Sequence, residues 1–244
     1  YLGSKFKRFH AKKYDKFFAL SEAMKIVFSK AGFKKEKIII IPNFYDIEFY
    51  KKLKKIQLKK SQKIIVLYVG LITKAKGVCN LIKAFKNLNN KNLELWIVGD
   101  GAEKSKLKKE YKNNKQIIFT GLIPYNSENF IKIYKNSNIF VHPGLIPEAF
   151  NRTILEAAIS HNALIVSNIG APPEVLKNNV LIYDPKDIEG LTTCLNYLIS
   201  NPDKIRELSI KVHDHIIKEY SIERTIDKLE SEYEKLLKKP IIDF

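Results

Sequence analysis

From residue 64 onward, dense apolar runs alternate with mixed segments in a regular rhythm. IIVLYV (64–69), LELWIV (93–98), QIIFT (116–120), NIFVH (138–142), ALIVS (163–167) and VLIY (180–183) are short and nearly free of charge. That is the pattern of strands buried on both faces. Between them, a helix through Leu81, Phe85 and Leu88, a Lys-rich helix ending near Lys112, and helices over 127–135 and 152–160 are predicted. Strand–helix alternation of this kind predicts an α/β domain with a parallel sheet, joined by right-handed crossovers and covered by helices on both faces.

The first 63 residues carry a shorter version of the theme. A helix over 1–13, a strand FFAL (17–20), a helix from the N-cap Ser21 towards Ala31, and a strand IIII (38–41) ending at Pro42-Asn43 make one α/β repeat without sheet partners. The Lys-rich span 50–63 has few large apolar residues beyond Leu53, Ile56 and Leu58, and reads as a connector or short helix between domains. The C-terminal part is helical: 188–199, then 202–219 with Pro202 early in the helix, then a helix capped by Ser221. In that last helix Ile226, Leu229, Tyr233 and Leu236 recur every three or four residues and make one packing face. The expected organisation is a remnant domain (1–49), a connector (50–63), a main domain (64–219) and a C-terminal helix with its tail (220–244).

Charge is distributed unevenly. Of 43 Lys and Arg, 18 lie in residues 1–63 beside 5 acidic residues, a local charge of +13 out of a total of +17. Such a field attracts nucleic acid, an anionic bilayer or a phosphorylated ligand. Lys outnumbers Arg 39 to 4, which fits a solvated Lys-rich surface equally well. No C2H2 spacing, basic zipper or RNA-binding sheet motif accompanies the charge, so specific nucleic-acid binding is not expected. No run approaches 18 apolar residues, and Cys79 and Cys194 form neither a disulfide framework nor a zinc motif. A cytoplasmic protein is the expectation, with a peripheral place at the inner membrane face as the alternative that the charge leaves open.

Candidate chemistry sits in the turns at the carboxyl ends of the predicted strands, where open α/β sheets bind ligands. GLITKAKG (70–77) offers Gly70 and Gly77 for close backbone approach and Lys74 and Lys76 for an anion, but it is neither a P-loop nor G-x-G-x-x-G. GDG (99–101), with Gly101, reads first as a tight strand exit. HPGLIPEAFNRTILE (142–156) is more specific: Pro143, Gly144 and Pro147 shape a loop, and a helix starting near Asn151 offers N–H groups to a diphosphate. Glu148 before that helix and Glu156 inside it suit sugar or ribose hydroxyls better than free phosphate. On spacing alone, Glu148 as a cap and Glu156 as a surface residue fit as well. His142 is either a ligand contact or a hydrogen-bonded structural residue.

In chain order these segments resemble the large retaining family 4 of GT-B glycosyltransferases. FALSEAMKIVFSKAGFKKEKIIIIPNFYDIEFY resembles the end of the N-terminal Rossmann-like domain and its exit. YVGLITKAKG, LWIVGDG and IFTG resemble the next strand exits. PEAFNRTILEAAISHNALIVSNIGAPPEV resembles the E-x7-E segment and the "GG-PE" that follows, and the final helix resembles the segment that crosses back to the first domain. The resemblance implies a GT-B donor-binding domain preceded by the tail of a truncated N-terminal Rossmann-like domain, with most of the acceptor side outside this chain, which begins at Tyr1 and has Met24 as its only Met.

It further implies retaining transfer of a hexose-like group from a nucleoside-diphosphate sugar to a hydroxyl acceptor, such as a glycan or lipid-linked saccharide, without a metal or other cofactor. Lys76 and Glu148 would be the catalytic pair. Gly70, Lys74, Gly101, Gly121, Ile123, Phe150, Asn151, Arg152, Thr153 and Glu156 would bind the donor, Glu156 through the ribose. The chain departs from the family pattern at Leu71, where Arg is usual, at Asn151, where Gly is common, and at Ala171, in place of the second Gly of the pair. Leu71 and the truncation keep a noncatalytic nucleotide-sugar-binding or scaffold domain open, and the basic segment 1–63 keeps an anionic membrane surface open as a partner.

Overall fold

The computed structural model describes residues 14–56 and 63–238; the helix expected over 1–13, most of the span 57–63 and the tail after 238 lie outside them. In the main body, β3 (Ile64–Val69), β4 (Leu93–Val98), β5 (Ile117–Gly121), β6 (Ile139–His142), β7 (Ala163–Ser167) and β8 (Leu181–Tyr183) form one sheet in the order β5-β4-β3-β6-β7-β8. Every pairing is parallel. The chain builds outward from β3 to β5, then returns to the other side of β3 to build β6 to β8. β3 and β6 therefore flank the point where the strand order reverses.

Alternation along the strands divides the interior into two cores. Leu67, Phe140, Leu164 and Val166 face one side, where α5 (Glu128–Asn136), α6 (Arg152–Ile159) and the C-terminal half of α9 (Pro202–Glu219) cover them. Val66, Tyr68, Leu95, Ile139 and Ile165 face the other, under α3 (Val78–Lys86), α4 (Lys104–Glu110) and α8 (Ile188–Ser200). Burial on both faces is what the uninterrupted apolar runs require. One helix was not anticipated: the short α7 (Pro172–Leu176), which carries two prolines in its first turn.

Residues before 56 are attached to this body by specific contacts. β1 (Phe17–Ala19) and β2 (Ile38–Ile40) pair in parallel, with α1 (Glu22–Lys30) as the crossover between them. The Lys-rich segment becomes α2 (Ile47–Lys55), whose Phe49 and Leu53 are buried in the first core. Asp46 caps its start by accepting from Glu48 N and Phe49 N, and the Lys135 ammonium donates to the carbonyls of Leu53 and Ile56 at its end. The helix is part of the core, with its lysines on the outer face. α10 (Ile222–Leu237) runs back to the first repeat, where Tyr233 meets Phe18 edge-on and Thr225 Oγ1 donates to Pro42 O. Among the described residues, no helix is long and apolar enough to cross a membrane.

Phe140 is fully buried at the centre of the sheet beside Tyr134. Phe140→Ala is expected to lower unfolding free energy by about 3–5 kcal/mol in a denaturant titration, the usual cost of emptying an aromatic core site; a loss under 1 kcal/mol contradicts this packing.

Candidate functional site

The strand order reverses between β3 and β6, and it is at the carboxyl ends of such a pair that open α/β sheets bind ligands. Two loops meet there because one position lacks a side chain. Gly77 adopts a left-handed conformation (φ 70°), and a Cβ there would lie 1.8 Å from Pro143 O. The chain after β3 therefore presses directly on the chain after β6, and Leu145 N donates to Ala75 O at 2.8 Å to hold the two together. The consequence is that Lys76 Nζ stands 2.8 Å from Glu148 Oε1, although the residues are 72 positions apart.

Glu148 is gripped from several directions. Gly170 (φ 72°) lets the chain after β7 lie against its main chain, where a Cβ would approach Glu148 N to 2.6 Å, and Ala171 N donates to Glu148 O. On the side chain, Asn151 Nδ2 donates to Oε2 at 3.1 Å. Asn151 Oδ1 caps α6 through Thr153 N and also accepts from Thr153 Oγ1. The residue that caps the helix is thus Asn151 rather than Glu148. Oε1 is buried and accepts no aligned hydrogen bond, so its contact with Lys76 is an ion pair that leaves hydrogen-bonding capacity unused.

His142, at the end of β6, completes the cluster. Its Nδ1 lies 3.3 Å from Asn151 Nδ2 and its Nε2 3.4 Å from Glu148 Oε1. An amide nitrogen can only donate, so Nδ1 is the acceptor and the ring proton sits on Nε2, facing the carboxylate. Burial, reinforced by the Lys76 charge and only partly opposed by Glu148, lowers the His142 pKa to about 4. The ring is neutral at pH 7.

One turn into α6, Glu156 is 5% exposed, which excludes the surface placement that its spacing allowed. Burial raises its pKa, against the opposing effect of a 2.6 Å hydrogen bond donated to Oε2 by Tyr134 Oη. Glu156 lines a cavity of about 260 Å3 with Arg152, Leu155, Tyr125 and residues 43–47. Arg152 lies over the Tyr125 ring, 5.7 Å from its centroid, and Tyr125 Oη donates to Asp46 Oδ2 at 2.7 Å. The cavity thus combines a buried carboxylate, a cation and aromatic surface.

The remaining candidates separate by surroundings. Lys74 is exposed on the same turn as Lys76, and Leu71 is 60% exposed beside it. Gly121, at the end of β5, has open space over its Cα except for the Lys104 ammonium at 3.6 Å, and Ile123 packs on the first core. Gly101 faces the main chain of Ile72, and Phe150 packs towards Tyr220. Sequence reasoning missed Tyr134, Tyr125 and Asp46. Asp46 carried a signal, as an N-cap residue three positions before the apolar Phe49; Tyr134 carried none, since an aromatic at helical spacing reads as core. It also missed the contact of the first repeat with this region: Ser21 Oγ donates to Ala149 O at 2.6 Å, and Glu174 accepts from Glu22 N and Ala23 N. Among the described residues, no group of three His, Cys, Asp or Glu side chains is placed to hold a metal ion.

The buried neutral histidine has a measurable signature. Between pH 6.5 and about 4 the unfolded chain takes up a proton at this position that the folded chain refuses, so stability falls as pH drops through that window, by roughly 3 kcal/mol in all. Denaturant midpoints from pH 4 to 7.5 are expected to flatten in His142→Leu relative to the unmodified chain. Parallel profiles for the two proteins would contradict a neutral, desolvated His142.

Comparison with known proteins shows the family and the fold. The family model described as Glycosyl transferases group 1 matches residues 49–214. An uncharacterized glycosyltransferase of Methanocaldococcus jannaschii is 33% identical over 193 residues, covering 73% of this chain and 48% of that protein. The lipopolysaccharide 1,2-N-acetylglucosaminetransferase of Salmonella typhimurium is 24% identical, covering 80% of this chain and 56% of that protein. Among solved structures, a glycosyltransferase from Rickettsia africae superposes with a TM-score of 0.82 at 21% identity, over 98% of this chain and 69% of that one. Anabaena HepE in complex with UDP gives 0.80 at 18% identity, over 91% of this chain and 64% of that one. These neighbours share the GT-B-like fold, and the chain spans about half the length of the curated relatives it matches. With two thirds of its residues under the family model, and with the paired loops and E-x7-E helix start that the fold sets at the strand reversal, the chain belongs to the glycosyl transferases group 1 family.

Proposed function

We propose that this chain is the donor-binding part of a retaining glycosyltransferase, which moves a hexose from a nucleoside-diphosphate sugar to a hydroxyl acceptor. The observation that carries the reading is the meeting of Lys76, Glu148 and the start of α6 at the strand reversal, with Glu156 buried in the wall of an adjacent cavity. Each group answers to one part of such a donor. Glu156 accepts from ribose hydroxyls, Lys76 and the α6 N-terminus hold the diphosphate, and Glu148, with an unused acceptor oxygen, meets the sugar. UDP is the first base to test, because HepE with this fold was solved with UDP and with UDP-glucose.

In the transfer step the acceptor oxygen attacks the anomeric carbon as the bond to the diphosphate oxygen breaks on the same face. The acceptor proton passes to the departing diphosphate. Lys76 supplies positive charge where negative charge builds up on that leaving group. In the structure the Lys76 ammonium is paired with Glu148; a diphosphate carries more charge than a carboxylate and takes over as its partner. That exchange frees Glu148 Oε1 for the sugar. Leu71 contributes no charge, and Arg152 already faces the Glu156 cavity, so Lys76 carries more of the diphosphate than in relatives with Arg at the Leu71 position. The first repeat, with its parallel β1–β2 pair, is the edge of an acceptor-side domain, and its Ser21–Ala149 contact brings that side to the residue after Glu148.

Calorimetric titration with UDP, GDP and ADP, in the presence of EDTA, tests the reading. Selective binding is expected, weakened roughly 10–100-fold by Lys76→Ala and by Glu156→Gln, the range for losing a charge-assisted hydrogen bond. No binding to the folded chain, or binding indifferent to both substitutions, would remove the donor site from the strand reversal. With the complete enzyme, an inverted anomeric centre in the product contradicts same-face transfer.

A further inference from the structure

We propose that Tyr134, outside the motif that carries the donor site, is the positioning residue whose hydroxyl holds the Glu156 carboxyl turned towards the ribose; the inference rests on the donor reading above. Tyr134 comes from α5 and is fully buried, and its hydroxyl donates to Glu156 Oε2 at 2.6 Å. Its ring has little freedom. Phe49 meets it edge-on at 5.7 Å, Phe130 at 5.2 Å, and Phe140 lies parallel to it at 6.2 Å. Its carbonyl accepts from Asn162 Nδ2, itself buried. The hydroxyl direction is therefore set by packing before any ligand arrives.

This matters because burial raises the Glu156 pKa, with Tyr134 and the Arg152 charge opposing the rise and Asp46 adding to it, and a buried carboxyl without such help takes up a proton. A protonated carboxyl presents one fewer acceptor to a ribose diol. A donor at Oε2 favours the ionised form and leaves Oε1 to accept from a ligand in the cavity that Glu156 lines. Phe49 extends the arrangement to α2, whose cap Asp46 accepts from Tyr125, and both line the same cavity as Glu156. The aromatic cluster thus fixes both the carboxylate and the cavity facing it.

The test is titration of the chain, Tyr134→Phe, Glu156→Ala and the double variant with UDP from pH 5.5 to 8.5. Tyr134→Phe preserves the ring and removes only the donor. It is expected to weaken UDP binding roughly tenfold at neutral pH, with the deficit shrinking as pH rises and the carboxyl regains its charge, and with no added effect in Glu156→Ala. An unchanged affinity and pH profile overturns the inference, as does a pH-independent loss that persists in Glu156→Ala, which marks a purely structural Tyr134. Should Tyr134→Phe fail to fold, carboxyl NMR of Glu156 in the unmodified chain and in Arg152→Gln decides: ionised at pH 7 in both supports the inference, while protonated in the unmodified chain, or on loss of Arg152 alone, overturns it. If the unmodified chain binds none of UDP, GDP and ADP, the donor reading falls first; if it binds UDP through Glu156 while Tyr134→Phe is neutral, only the positioning role falls.

Discussion

The geometry of the site depends on a steric constraint: the chain leaving β3 and the chain leaving β6 pass closer together than a side chain allows. Gly77 stands where any Cβ would collide with the carbonyl of Pro143. The strand order makes the two loops neighbours, and the missing side chain makes them touch. From that contact follow the Lys76–Glu148 pair, the seat of Glu148 between the chains after β3 and β7, and the position of α6, whose first turn begins four residues beyond Glu148. A backbone contact of this kind places charges more reproducibly than the flexible side chains could arrange themselves.

Placing charges in a confined site costs stability unless each has a partner, and the partners here divide the roles. Glu148 has a cation and an amide, with one oxygen left without an aligned donor; Glu156 has a buried hydroxyl; His142 is kept neutral by burial. The site therefore holds acceptors whose demand is incompletely met and a cation whose partner a more highly charged ligand can replace. Both features favour a ligand that brings hydroxyls and phosphate together. In stability terms the raised pKa of Glu156 works against the fold at neutral pH: the folded chain binds its proton more tightly, so the stability this group contributes is fully present in acid and lost as pH rises through the folded value. The fold tolerates that cost because the aromatic cluster around Tyr134 is deeply buried.

Much of this was legible in the sequence, for identifiable reasons. Apolar runs such as IIVLYV and ALIVS have one use, as strands covered on both faces, and the helices between them followed. The ends of those strands pointed to the turns where Lys76 and Glu148 meet, and to the helix whose Glu156 lines a cavity with Arg152. What stayed hidden depends on three-dimensional placement. A Lys-rich segment around Leu53 read as a connector or short helix because its charge masked two buried positions, Phe49 and Leu53, one turn apart. Tyr134 looked like any core aromatic, since nothing in its spacing shows that its hydroxyl meets Glu156. The capping role passed to Asn151 because the helix begins one residue after it, and a boundary that fine is set by local hydrogen bonds rather than by hydrophobic period.

The central claim, that the loop contact at the strand reversal assembles a nucleotide-sugar site, is tested most directly by a crystal structure of the chain with UDP. The account predicts the diphosphate between Lys76 and the first turn of α6, the ribose hydroxyls on Glu156, and the Lys76 ammonium moved from Glu148 to phosphate. UDP bound elsewhere, or bound with the Lys76–Glu148 pair intact and Glu156 untouched, would contradict it.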